Sequence, residues 1–89
     1  MGKDIGFLIL HHFGVLSVNS KGWQKEINLI KWHENKPKLD IRDWAPDYKK
    51  MGRGITLSPD EVLAAQDVFS NIDVNMLETA YEENENTED

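Results

Sequence analysis

Residues 38–62 read KLDIRDWAPDYKKMGRGITLSPDEV. The first seven alternate. Leu39 and Ile41 fall on one side and Lys38, Asp40, Arg42 and Trp44 on the other, the period of two that a half-buried strand requires. A loop containing Pro46 follows and closes at Gly52. Residues 53–57 then form a short strand presenting Ile55 and Leu57 to the core. SPDE comes next: Ser58 accepts from the first-turn amides, Pro59 suits the first helical position, and Glu61 completes a capping box. Asp60 and Glu61 sit at the positive end of the helix dipole. Val62, Ala65, Phe69 and Ile72 form one helical stripe, placed to lie across the apolar sheet face.

Two more strands precede this unit. Residues 5–19 are rich in β-branched and aromatic side chains and end at a turn-like NSKG, with Gly14 marking a bend or bulge. Residues 23–33 form the next strand, closed by the polar loop ENKP. The order strand, strand, strand, strand, helix predicts an α+β fold, an antiparallel four-stranded sheet followed by a C-terminal helix. Residues 74–81 have helical composition, with Leu77, Ala80 and Tyr81 on one side; their continuity with the first helix across Asp73 is left open. Residues 82–89, EENENTED, are acidic and apolar-free and read as disordered. The division is a binding domain over residues 1–73 and a helical extension with an acidic tail over residues 74–89.

Eighty-nine residues make one small domain, and no cysteine is present to staple it. Oligomerisation is the expected supplement to so small a core. The longest apolar run, residues 7–10, is too short for a membrane span or a signal-peptide core and follows acidic Asp4, so the chain reads as cytoplasmic. Net charge is −6. The charge is unevenly spread: residues 17–58 hold nine cations against five anions, a balance of +4, which leaves −10 for the rest. Local potential steers a ligand more than the global sum does.

Residues 21–44 contain all three tryptophans, Trp23, Trp32 and Trp44, and six of the ten basic side chains. Single-stranded nucleic acid asks for this combination: cations that follow phosphates and aromatic faces on which unpaired bases stack. Lys38, Arg42 and Trp44 share a strand face. Trp32 shares one with Ile30 and Asn28, with Lys25 and Lys31 opposite. Trp23, just after the Lys21–Gly22 turn, reads as more structural than Trp32 or Trp44. The competing reading makes the tryptophans core and the lysines edge protection. Enzymatic chemistry finds no support. His11 and His12 point to opposite strand faces, His33 has no partner at ligand spacing, and Asp40 and Asp43 lie on opposite faces. GRG at residues 52–54 precedes a strand rather than a helix, so it is not a phosphate loop of the P-loop kind. No metal and no cofactor is expected.

LDIRDW and MGRGITLSPDEV resemble the hallmark of the transcriptional positive cofactor four family: a strand ending in aromatics, a loop, a glycine-rich basic strand, then a proline- and acid-rich helix start. KGWQKEINLIKW, and the KMG before Arg53, are similar to its bacterial branch. The resemblance runs from Phe7 to the helix. It implies a four-stranded antiparallel sheet with a following helix, homodimers formed largely through the helices, and binding of single-stranded DNA with little sequence preference. Eukaryotic members act as transcription coactivators. By position, Trp32 falls near the base-stacking aromatic at the end of the second strand, and Trp44 near the aromatic that ends the DIR strand. Lys38 and Arg42 lie between them. Lys49, Lys50 and Arg53 match the basic loop, and Lys21 and Lys25 the basic turn. With Trp23 and Asn28 these are the expected DNA-binding residues. Expected partners are single-stranded DNA, a second copy of the chain, and transcription or replication proteins, with no membrane. The alternatives are an RNA-binding or RNA-chaperone module using the same face, or a protein-interaction dimer working through its acidic tail.

Overall fold

The computed structural model describes residues 6–84. Strands β1 (Phe7–Val18), β2 (Gln24–Trp32), β3 (Lys38–Trp44) and β4 (Met51–Leu57) precede helices α1 (Pro59–Ser70) and α2 (Val74–Asn84). The strands form one antiparallel sheet in the order β1-β2-β3-β4. The expected α+β architecture is therefore present, with a second helix added. Strand β4 starts at Met51, two residues earlier than expected. Both halves of the capping box form: the Ser58 amide donates to Glu61 Oε1 (2.8 Å), and the Glu61 amide donates to Ser58 Oγ (3.2 Å). The chain breaks after α1. Asp73 Oδ1 then accepts from the Asn75 amide at 2.9 Å, an N-cap that starts α2. Residues 82–84, expected to be disordered, are helical; residues 85–89 of the acidic stretch lie outside the described residues.

Curvature decides which side is inside. Three register irregularities interrupt β1, between Ile9 and His11, His12 and Gly14, and Val15 and Ser17. Only the second is at the glycine the sequence singles out. Each such insertion bends the strand and adds twist. Trp32 pairs with Phe7 at one end of β2, and Trp44 pairs with Gln24 at the other. Even so, the Phe7 ring lies 5.5 Å from that of Trp32 and 5.3 Å from that of Trp44. Only a sheet rolled about this face brings the three rings together. Inside the roll Ile30, Trp44, Glu26, Asn28 and Asp40 are almost wholly buried.

This inverts the sequence assignment of β3. Its mixed polar side, with Asp40, Arg42 and Trp44, points into the concave core, whereas Leu39 and Ile41 are only half-buried. On β4, Ile55 is more than half exposed. The reason is that the outer face is covered only by α1, which packs on β3 and β4, while α2 packs on no other element among the described residues. Along the α1 stripe Val62 and Ala65 are half-covered, but Phe69 and Ile72 are exposed. The shape records the same incompleteness. The radius of gyration is 16.1 Å, against about 12 Å for a compact domain of this length. Among the described residues no helix is long and apolar enough to cross a membrane.

Candidate nucleic-acid interface

Trp44 is fully buried between Phe7 and Tyr48, whose ring centroid is 5.3 Å away. The open, base-stacking ring expected at this position is therefore not present: the curl of the sheet turns the indole inward. Asn28 is likewise sealed. Its amide donates to Glu26 Oε1 (3.2 Å), and its carbonyl oxygen meets His12 Nδ1 at 2.7 Å.

Trp32 is half-buried, and Arg42 occupies one of its faces, 4.7 Å from the ring centroid. Arg42 is not an available cation. Its Nε and Nη2 donate to the two oxygens of buried Asp40, each at 2.7 Å, and only 14% of its side chain is exposed. A bidentate pair of this kind neutralises the guanidinium and fixes its plane. One more expected contact is engaged elsewhere: Lys25 pairs with Asp43 at 3.2 Å on the outer face, and Lys31, on the face opposite Trp32 in the sequence reading, donates to the His33 carbonyl at 2.6 Å. Lys38 is exposed at the opposite end of β3, beside Pro37 and α1.

The remaining expected cations, Lys21, Lys49, Lys50 and Arg53, are exposed and in no ion pair among the described residues. Two of them, Lys49 and Lys50, share a groove with a ring. The β1–β2 turn carries Lys21 and Trp23, the β3–β4 loop carries Lys49 and Lys50, and the two segments touch where Pro46 packs on Gly22. Gly22 has φ +86°, and a Cβ there would stand 3.1 Å from Pro46 Cγ, so glycine permits both the turn and the contact. Asn19 Oδ1 accepts from the amides of Lys21 (2.8 Å) and Trp23 (3.1 Å), which sets the indole's direction of departure. Trp23, Ala45, Pro46, Asp47, Lys49 and Lys50 then line an open groove of about 410 Å³. A partly exposed indole beside two lysines can stack a base and hold the adjoining phosphate. Trp23, read from sequence as the most structural of the three, is the one that combines an open groove with free cations.

Sequence reasoning passed over Tyr48. It lies in the loop with φ +62°, covers Trp44, and its hydroxyl donates a hydrogen bond to Glu26. An aromatic residue immediately before Lys49–Lys50 satisfies the same ring-plus-cation criterion applied to the tryptophans, and that signal was available. Glu26 shows competing effects. Burial raises its pKa, but hydrogen bonds from Tyr48, Asn28 and Gln24, with His12 nearby, more than offset this and hold the carboxyl below its ordinary value. The Tyr48 hydroxyl is pushed up to about 12, by burial and by the carboxylate it faces.

The family model for Transcriptional Coactivator p15 (PC4) matches residues 19–64, just over half of the chain. This chain belongs to that family. The matched segment begins at the turn residue Asn19 and ends in the first turns of α1, so the whole groove lies within it, and β1 and α2 fall wholly outside. The family's general character is single-stranded DNA binding of the coactivator type. The chain is also 35% identical over 75 residues to an uncharacterized protein of Treponema pallidum (strain Nichols), covering 84% of this chain and 88% of that protein.

Proposed function

We propose that this protein of the p15 (PC4) family is a homodimeric, non-enzymatic binder of single-stranded DNA with little sequence preference, acting in the cytoplasm alongside transcription or replication. The observation that carries the reading is the groove at the joined turn and loop, where the partly exposed Trp23 stands beside Lys49 and Lys50. Trp23 is the stacking face, and Lys21, Lys49, Lys50 and Arg53 are the phosphate contacts. The exposed part of Trp32, with Lys38 farther along, offers a second contact area, while Arg42, Trp44 and Asn28 act as support beneath the surface. Residues 1–73 form the binding domain and residues 74–89 its extension.

Dimerisation is supported by the apolar surface a single chain leaves open. No residue of α1 or α2 is buried, and Leu63, Phe69, Leu77 and Tyr81 are each more than half exposed, as are Leu8, Phe13 and Leu16 on β1. Soluble monomers rarely leave this many large apolar side chains in water. A two-fold dimer would give one long strand two grooves to occupy.

The test is a fluorescence titration with oligothymidine, the matched RNA and a duplex of equal length, at two salt concentrations. The reading expects quenching by the single-stranded DNA, weaker binding of duplex, and affinity that falls as salt rises. Equal binding of duplex would reject stacking on unpaired bases, and preference for the RNA would redirect the assignment. A monomer by light scattering at micromolar concentration would reject the dimer.

A further inference from the structure

Glu26 is 99% buried in the middle of a sheet and has no lysine or arginine partner among the described residues. Arg42 stands directly opposite it on β3 but is committed to Asp40. A carboxylate is retained in such a place only if several donors converge on it. Here Gln24 Nε2 donates at 2.7 Å, Asn28 Nδ2 at 3.2 Å, and the Tyr48 hydroxyl completes the set, with His12 Nδ1 3.5 Å away. The first two come from β2 itself. Tyr48 comes from the β3–β4 loop, 22 residues along the chain.

That loop's other polar ties are local. The Ala45 amide donates to the Lys50 carbonyl (3.0 Å), the Tyr48 amide to the Ala45 carbonyl (2.9 Å), and the Lys49 amide to Asp47 Oδ1 (2.9 Å). These bonds shape the loop without anchoring it to β2. Among the described residues, the Tyr48 hydroxyl makes the loop's one side-chain hydrogen bond to another element. It does so from a left-handed backbone conformation, φ +62°, that a non-glycine residue adopts only when its surroundings hold it there. The two residues that follow are Lys49 and Lys50.

We propose that Glu26 and Tyr48 are positioning residues for nucleic-acid binding: the buried carboxylate holds the tyrosine hydroxyl, and the tyrosine sets the loop so that Lys49 and Lys50 stand beside Trp23. This rests on the single-strand-binding reading above. Neither group touches the ligand through the hydrogen bond itself. What they supply is preorganisation, because a loop already held in the binding geometry loses less freedom on association.

The experiment is a double-mutant cycle on oligothymidine affinity at low salt, using the full chain with Tyr48→Phe, Lys49→Ala/Lys50→Ala, and all three changes together. Tyr48→Phe keeps the ring against Trp44 and removes only the hydroxyl. In the otherwise unchanged protein it is expected to weaken binding about tenfold, the scale of one hydrogen bond to a charged group. Without the two lysines the same change is expected to cost less than about twofold, because coupled residues are not additive. A merely structural tyrosine would lower affinity by one factor in both backgrounds, and that result, or no loss at all, overturns the proposal. Hydrogen exchange of the unsubstituted protein gives an independent arm should the variant fold poorly. The Tyr48 and Lys49 amides are expected to exchange as slowly as those of β3, and fast exchange counts against an anchored loop. If the unsubstituted protein binds no oligonucleotide, the proposed function itself fails and this inference with it. If it binds normally and the cycle is additive, only this inference fails.

Discussion

Arg42 lies over Trp32, 4.7 Å from the ring centroid, while its Nε and Nη2 are both bonded to Asp40. Cation, indole and carboxylate thus form one layer inside the curled sheet. An arginine that sequence places on an outward ligand face is a strut within the core, whereas Lys21, Lys49 and Lys50 at the turn and loop are exposed and in no ion pair among the described residues.

Asp40→Asn should therefore act on stability. It removes the countercharge from a largely buried guanidinium, a change that typically costs about 3–5 kcal/mol. Chemical denaturation should show a midpoint lowered with little change in slope. A stability loss below about 1 kcal/mol would mean that Arg42 finds another partner or escapes to solvent.

The tryptophans should separate cleanly. Trp23→Ala removes a ring from an open groove and should weaken single-strand binding by about 1–3 kcal/mol, roughly five- to 150-fold, with the thermal midpoint little changed. Trp44→Ala empties a fully buried site and should cost about 3–5 kcal/mol of stability. Paired binding and melting measurements on both variants check this, and a reversed pattern would refute the placement of the groove.

Gly54 admits no side chain. A Cβ there would lie 2.3 Å from the Ile41 carbonyl oxygen and 2.4 Å from Arg42 Cβ. The obstacles are the backbone and the first side-chain carbon of a paired strand, neither of which swings aside. Gly54→Ala should destabilise by several kcal/mol, at the high end for single substitutions. Gly14→Ala, where nothing lies within 4 Å of the added carbon, is the control expected to be mild.

Acid and base should each loosen the Tyr48–Glu26 link. The Glu26 carboxyl titrates lower in the folded chain than in the unfolded one, so its contribution is present above about pH 4.5 and is lost as pH falls toward the lower folded value. Tyr48 behaves oppositely. Raised from 10.0 to about 12, its contribution is complete below about pH 10 and disappears as pH climbs through about 12. Denaturation midpoints followed across both windows should fall at each end. Tyr48→Phe should abolish the alkaline part and shrink the acid part.

Much of this protein is written locally. The alternation of residues 38–44, the serine-capped helix start at Pro59 and the turn after Asn19 depend on neighbours a few positions away, so element type, order and the third strand's boundaries could be read directly. The segregation of cations into residues 17–58 is likewise a property of the chain itself. Which side of the sheet becomes the interior is not. A period of two says only that two faces differ, and the choice between them rests on the bulges of β1, which roll the sheet until Phe7 closes over Trp44. Tyr48 reaches Glu26 by the same long-range route, so the fate of each tryptophan, and the freedom of each cation, was decided by curvature and distant contacts that no short window of sequence contains.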